Sequence, residues 1–178
     1  MAIKPTIRKA ALSVADLDRH RYADYALTVA RGVTESDGRM MARLVAFALN
    51  ADERLELSAE IADTDEPSLA LKDWDGRYRL WIEVGLPDPK RLRKAASRAD
   101  EVVLYLYHGR QGRTWLDANR AALEGIRKLR VMELDPAAVK ELAALADRTM
   151  DFQCTVQDGR AAFAHSAGVV EVGVERLL

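Results

Sequence analysis

Cysteine, histidine and net charge are scarce in this chain of 178 residues. Cys154 is the single cysteine, so an internal disulfide is excluded. The three histidines, His20, His108 and His165, lie too far apart in sequence for the ligand spacing of a zinc site. The formal net charge of -1 argues against a protein that coats DNA broadly, because each phosphate contact needs a cation. A local basic groove remains compatible with that charge.

Long apolar segments and nucleotide-binding motifs are absent too. No apolar run approaches the roughly 20 residues that a membrane-spanning helix needs, so no membrane association is expected. Residues 1–5 lack the apolar stretch and cleavage site of a secretory signal, and a cytoplasmic location is therefore expected. The sequence also lacks a Walker motif, a Rossmann glycine pattern and a nucleophile elbow, which argues against the enzyme classes built on them.

The composition that is present suits one folded domain. Hydrophobic residues make up 49% of the chain and charged residues 31%, which is enough for a core and for a soluble surface. The length is ordinary for a single domain, and no linker or internal repeat divides residues 1–178. The sequence leaves the oligomeric state open, with a monomer favoured.

Hydrophobic periodicity and turn signals predict both strands and helices. A hairpin of strands 6–14 and 22–29 comes first, and Thr34 with Asp37 resembles a capping box for a helix over 35–50. Further strands are predicted over 55–61, 68–72, 77–84, 102–107, 129–134, 152–157, 161–165 and 169–174, and further helices over 89–99, 114–124 and 136–147. This order predicts an α/β (α+β) fold with a mixed β-sheet flanked by helices and additional hairpins at both ends.

Two acidic residues around one predicted hairpin form the candidate site. Glu66 precedes the hairpin, and Glu83 lies in the apolar end of strand 77–84, where burying an unpartnered carboxylate is costly. A metal ion or a basic group would remove that cost, and two carboxylates at one strand end suit Mg²⁺. Two structural alternatives stay open. Glu66 could be a simple turn acid, and Glu83 could pair with Arg79 on the same strand face.

Strict alternation along strand 77–84 assigns its side chains to two faces. One face is expected to carry Arg77, Arg79, Trp81 and Glu83, and the other Tyr78, Leu80, Ile82 and Val84. Trp74 and Trp81 are candidates either for packing or for stacking on nucleic-acid bases, and packing is the expectation for both.

The order of elements over 35–107 is similar to the core of the PD-(D/E)XK nucleases, which have the restriction-endonuclease-like fold. Such enzymes hold Mg²⁺ between two acids, and a lysine two residues after the second acid helps to position the attacking water. Glu83 matches that second acid, and Gly85 stands where the lysine belongs.

A second resemblance covers the whole chain. The sequence resembles the YaeQ family of bacterial proteins, which implies a variant of the PD-(D/E)XK fold with extra strands. The segments that carry this resemblance are MAIKPTI (1–7), VADLDR (14–19), RMMARL (39–44), ADERL (51–55), DEP (65–67), WIEVGLP (81–87), ADRTM (146–150) and QDG (157–159). The family resemblance implies a fold rather than one particular activity.

The nuclease resemblance implies roles for specific side chains. Glu66 and Glu83 are expected to be catalytic and to bind Mg²⁺, or Mn²⁺ in its place. The missing lysine is expected on the following helix, with Lys94 as the first candidate and Lys90 as the second. Glu35, at the start of the first core helix, matches an extra acid that many relatives keep there, and acids are favourable near a helix N-terminus.

The helix predicted over 89–99 is strongly basic. It carries Lys90, Arg91, Arg93, Lys94 and Arg98. Such a run is usually a solvated face, and the alternative is a nucleic-acid-binding surface formed by Lys90, Arg91 and Lys94.

Two functions follow. The first is a Mg²⁺-dependent phosphodiesterase acting on nucleic acid, which the acids and the basic helix favour. The second is a non-catalytic module that binds a nucleic acid or a protein, which Gly85 and the net charge favour.

Overall fold

The computed structural model describes residues 4–59 and 65–178, which form four helices and eleven strands. The strands are β1 Thr6–Asp16, β2 Arg21–Arg31, β3 Leu55–Leu57, β4 Leu69–Lys72, β5 Tyr78–Val84, β6 Ala99–Leu106, β7 Leu129–Leu134, β8 Thr149–Gln157, β9 Arg160–His165, β10 Gly168–Val172 and β11 Val174–Arg176. The helices are α1 Asp37–Leu49, α2 Pro89–Arg98, α3 Arg110–Glu124 and α4 Pro136–Ala143. None of these four helices is both long enough and apolar enough to cross a membrane.

The strands form two mixed sheets, which confirms the α+β class but divides the expected single sheet. Sheet A has the order β10-β9-β8-β1-β2, and sheet B has the order β11-β7-β6-β5-β4-β3. Strand β1 runs parallel to β8, with Lys9 opposite Thr149, so the N-terminal hairpin and the C-terminal strands share a sheet. Hydrophobic alternation predicts that a segment is a strand, but it does not identify the strand beside it.

Helix α1 lies between the two sheets. Residues 40–48 of α1 are all buried, which requires cover on more than one side of the helix. Side chains of sheet A, α1, α4 and one face of sheet B form one core, and α2 and α3 cover the other face of sheet B. Cys154 lies in the first core, where burial raises the pKa of its thiol to about 12 and so keeps it unreactive at neutral pH.

The N-terminal cap of α1 is Ser36 rather than Thr34. The Ser36 Oγ accepts a hydrogen bond from the backbone N–H of Arg39 at 3.1 Å, and the helix begins at Asp37. Serine and threonine are both good caps, so residue type alone does not decide between them. Glu35 therefore precedes the helix, and its side chain is bound by Arg43.

Other predicted boundaries shift by a few residues. Strand β6 begins at Ala99, directly after α2, and α4 ends at Ala143 rather than at residue 147. The predicted strand 55–61 appears as β3 over Leu55–Leu57, and its last two residues lie outside the described part of the chain. Such shifts are expected, because the ends of elements depend on tertiary packing more than their centres do.

A β-bulge in β5 changes the expected distribution of its side chains. Leu71 lies opposite Leu80, whereas Lys72 lies opposite Tyr78, so β5 contains one extra residue at this point. The bulge brings Tyr78 to the face of Trp81, with 4.8 Å between the ring centroids. Strict alternation had predicted opposite faces for these two rings. The bulge therefore places Tyr78 beside the candidate site.

Candidate functional site

Glu83 is a buried carboxylate near the end of β5, beneath α2. Its Oε1 accepts hydrogen bonds from the Trp81 indole N–H at 2.7 Å and from Arg91 Nε at 3.0 Å. Within residues 4–59 and 65–178, no hydrogen bond reaches its Oε2. Burial raises the pKa of Glu83, and the Trp81 hydrogen bond and the charges of Arg91 and Arg39 offset that effect only in part. The carboxylate is thus poised to gain from a further cation.

Arg91 connects the two segments that carry the candidate acids. It lies in the first turn of α2, and its Nη2 donates to the main-chain oxygen of Glu66 at 2.5 Å. Glu83 therefore pairs with Arg91, and the alternative pairing with Arg79 is wrong. Arg79 instead reaches across to Asp100 of β6 at 3.2 Å. Helix α2 follows β5 closely, which brings its first turn over the end of the strand.

Glu66 lies on the same face of sheet B as Glu83. Its Oε2 accepts a hydrogen bond from the Tyr78 hydroxyl at 3.2 Å, and Tyr78 packs against Trp81, the hydrogen-bond donor to Glu83. The Glu66 side chain is exposed, in contrast to the buried Glu83. Both acids thus lie under the same edge of α2, although they differ in solvation.

The two carboxylates are the candidate ligands for a cation. Each acid has one oxygen without a hydrogen bond from the described residues, Oε1 in Glu66 and Oε2 in Glu83. Mg²⁺ commonly binds through one or two carboxylates and completes its octahedral shell with water and phosphate oxygens. Within the described part of the chain, no group of three or more acidic, histidine or cysteine side chains could hold a metal ion. Binding of Mg²⁺ by Glu66 and Glu83 therefore stays a prediction.

The two lysine candidates occupy different surroundings from Arg91. Lys94 is exposed and forms an ion pair with Asp65, which lowers the pKa of that carboxyl group through the hydrogen bond and charge of the ammonium. Lys90 is exposed on the first turn of α2, which is capped by Asp88. The sequence predicts that Arg91 belongs to the basic surface, but it does not predict the contact of Arg91 with Glu83. The position of Arg91 in the first turn of a helix that directly follows the strand is the sequence signal that could have predicted this contact.

Glu35 anchors two arginines and has no free oxygen for a ligand. Its Oε1 accepts from Arg43 Nε and Arg39 Nη1, both at 2.8 Å, and its Oε2 accepts from Arg43 Nη2 at 2.9 Å. Arg39 also donates to Ser68 Oγ at 3.1 Å, and its charge lowers the pKa of Glu83. Glu35 therefore affects the candidate site through the position of Arg39. A direct catalytic role for Glu35 stays a prediction.

The backbone explains why Gly85 occupies the lysine position of the nuclease motif. Its φ is +118°, in a region that side-chain-bearing residues rarely adopt, and its N–H donates to the Tyr105 carbonyl at 3.0 Å. A Cβ at this position would meet no atom within 4 Å, so space does not exclude a side chain. The constraint on this position is conformational rather than steric.

Gly85→Lys is expected to lower the free energy of unfolding by about 1–2 kcal/mol, because a residue with a Cβ is strained at this backbone conformation. Gly85→Ala is the matched control and should lose a similar amount, since both variants add a Cβ. Urea denaturation of the three proteins measures the difference. A Gly85→Lys protein as stable as the wild type would show that the turn relaxes without cost.

Comparisons with known proteins identify the family of this chain. A family model described as YaeQ protein matches residues 1–174. Curated relatives named Uncharacterized protein YaeQ, from Salmonella typhi and Escherichia coli (strain K12), are each 43% identical over 159 residues, which cover 89% of this chain and 88% of theirs.

Two solved structures agree with the fold. The crystal structure of YaeQ protein from Xanthomonas axonopodis pv. citri is 40% identical with a TM-score of 0.92, and the match covers 97% of this chain and 98% of that chain. The YaeQ protein from Pseudomonas syringae is 29% identical with a TM-score of 0.93, and the match covers 98% of this chain and 96% of that chain. This chain therefore belongs to the YaeQ family.

Proposed function

We propose that this protein is a Mg²⁺-dependent phosphodiesterase of the PD-(D/E)XK type that acts on nucleic acid. One observation carries the proposal: Glu66 and Glu83 lie on one face of sheet B, are connected through Arg91, and each keep a carboxylate oxygen free of hydrogen bonds from the described residues. The cytoplasmic location and the monomeric state expected from the sequence belong to the same proposal.

Each residue of the proposed site has a separate role. Glu83 and Glu66 would hold the ion, which when bound lowers the pKa of water and neutralises charge on a phosphate. Arg91 is less than a quarter exposed, and its guanidinium aligns Glu83 with the Glu66 segment. Lys94, on the next turn of α2, is the exposed cation assigned to the attacking water or the developing charge on the phosphate.

Helix α2 supplies the surface for the nucleic-acid backbone. Its N-terminal turns present Lys90, Arg91 and Lys94 beside the two acids, and no acidic residue occurs within the helix. Contacts of this kind are electrostatic and independent of base sequence, because cations on phosphates displace bound counterions. Binding is therefore expected to be weak and strongly dependent on salt.

Reversing two charges tests this surface. Arg91→Glu with Lys94→Glu is expected to weaken binding and to reduce the slope of log affinity against log salt by roughly 1–2, because up to two phosphate contacts are lost. Arg127→Glu with Lys140→Glu, exposed positions on other elements, makes the same charge change and is the control. Fluorescence anisotropy with a labelled oligonucleotide over a salt series measures both. Equal weakening in both double variants would assign the effect to net charge alone.

A binding module without catalysis is the second candidate. It would recognise a nucleic acid or a protein, and two observations favour it. The ion pair with Arg91 already stabilises the Glu83 carboxylate, and the backbone at Gly85 disfavours the usual lysine. Incubation with single-stranded DNA, double-stranded DNA and RNA in Mg²⁺ or Mn²⁺ separates the two candidates. Metal-dependent products support the phosphodiesterase, whereas binding without any cleavage supports the module.

A further inference from the structure

Trp74 is the most exposed large hydrophobic side chain of the described residues, which contradicts the expectation that it packs. The residue is 89% exposed on the turn between β4 and β5, and the guanidinium of Arg54 lies 4.0 Å from its ring centroid. A single exposed apolar side chain is not by itself a binding site. The turn, the neighbouring cations and the position relative to the two acids supply the further evidence.

The turn that carries Trp74 is firmly hydrogen-bonded. The Asp73 carboxylate accepts from the backbone N–H groups of Asp75 at 3.0 Å and Arg77 at 2.9 Å. The Asp73 backbone N–H donates to the Arg77 carbonyl at 2.9 Å, which closes the hairpin. The backbone that carries the indole is thus fixed, so a ligand that stacks on the ring costs little backbone conformational entropy.

Contacts between β4 and β5 link Lys72, at the end of the strand before this turn, to Glu66. Lys72, two residues before Trp74, places its ammonium 4.8 Å from the ring centroid of Tyr78, whose hydroxyl binds Glu66. A groove of about 350 Å³ runs over the same region and is lined in part by Glu66, Ala70 and Lys72.

The chemistry of this path fits an unpaired nucleic-acid strand. Lys72 and Arg54 offer cations beside the Tyr78 and Trp74 rings, and Trp74 offers a flat aromatic face. Aromatic side chains bind single strands by stacking on bases, whereas the base faces of a duplex are already stacked on each other. Asp75 adds a negative charge next to Trp74 in the sequence, which disfavours a phosphate at that position.

We propose that the site takes single-stranded nucleic acid and that one unpaired base stacks on Trp74 while the strand follows the Lys72 groove to Glu66 and Glu83. This inference rests on the proposed function of that pair, because it names the substrate class of the same site. It extends the contact surface beyond α2 to the tip of the β4–β5 hairpin.

Replacing the indole tests the stacking contact. Trp74→Ala is expected to weaken binding of a labelled oligo(dT) by about 5- to 150-fold, the range that loss of one base-aromatic stack produces, while a duplex of the same length is unaffected. Trp74→Phe keeps an aromatic face and should retain most of the affinity. Tyr22→Ala is the matched control, because Tyr22 is an aromatic residue 62% exposed on sheet A.

Intrinsic fluorescence adds a direct readout. The chain has three tryptophans, and Trp81 is buried while Trp115 is half-buried, so quenching by oligo(dT) should come mainly from Trp74 and disappear in Trp74→Phe. Unchanged oligo(dT) affinity in Trp74→Ala, or an equal loss for the duplex, would overturn the inference. Loss in Trp74→Ala with unchanged binding after charge reversal at Arg91 and Lys94 would support stacking while removing the proposed interface on α2.

Discussion

Glu35→Ala is expected to lower the free energy of unfolding by about 3–5 kcal/mol, the usual cost of leaving one partner of a buried ion pair alone. Arg43 is fully buried, and Glu35 supplies its only ionic partner among the described residues. Burial lowers the pKa of Arg43, and the charge and hydrogen bonds of Glu35 oppose that effect. Chemical denaturation of the wild type and the variant measures the loss.

A double-mutant cycle isolates the pair. Arg43→Met alone should lower the free energy of unfolding by less than Glu35→Ala does, because Glu35 keeps its contact with the partly exposed Arg39. The double variant should be clearly more stable than the sum of the two single losses predicts, since it leaves neither charge unpaired. Additive losses would show that the two side chains contribute independently and that the ion pair is not what holds the β2–α1 connection.

Glu83→Gln is expected to abolish Mg²⁺-dependent cleavage with the fold intact. Glutamine keeps the size of the side chain and removes the charge that would hold the ion, so the loss should exceed the roughly 10- to 100-fold that changes around metal ligands produce. Lys94→Ala should reduce the rate without removing metal binding, because that lysine is assigned to water and phosphate. Cleavage assays with a Mg²⁺ titration separate the two effects. Retained activity in Glu83→Gln would reduce Glu83 to a structural partner of Arg91.

The stability of the same variant reports the ionisation of Glu83. Its pKa is raised by burial, so the folded state holds a proton that the unfolded state releases once the pH passes the ordinary value of 4.5. The contribution of Glu83 to stability should therefore fall as the pH rises from 4.5 through the raised pKa. Glutamine does not titrate, so Glu83→Gln lacks this pH dependence. The difference in the free energy of unfolding between the wild type and Glu83→Gln should therefore change in that pH window and be constant below it.

The sequence predicted the elements better than their assembly. The amphipathic pattern of α1 and the Asp-Pro caps of α2 and α4 are local signals, and the structure has those helices. The pairing of β1 with β8 joins segments about 140 residues apart and has no local signal. The sequence did not predict the bulge that turns Tyr78 toward Trp81, because the bulge depends on the register between β4 and β5.

The residues of the candidate site also differ in how far the sequence could predict them. Glu83 could be singled out because an acid inside an apolar strand is unusual, and Glu66 because it precedes the same hairpin. The partners of Glu83 could not be predicted so directly. Arg91 reaches it through the packing of α2, and Arg39 through the position of α1 between the sheets. The backbone conformation at Gly85 likewise becomes visible only once β5 is paired with β6.

The place of β1 between β2 and β8 in sheet A also sets the order of events during synthesis. Strand β1 has β2 on one side from the beginning, but its other side is completed by β8, whose paired residues follow about 140 residues later in the chain. A nascent chain therefore carries an open backbone edge on β1 until residues 149–157 have emerged from the ribosome. Such distant strand pairing slows folding and exposes edges that can pair wrongly. The final assembly of sheet A is consequently a late step that closes the fold around α1.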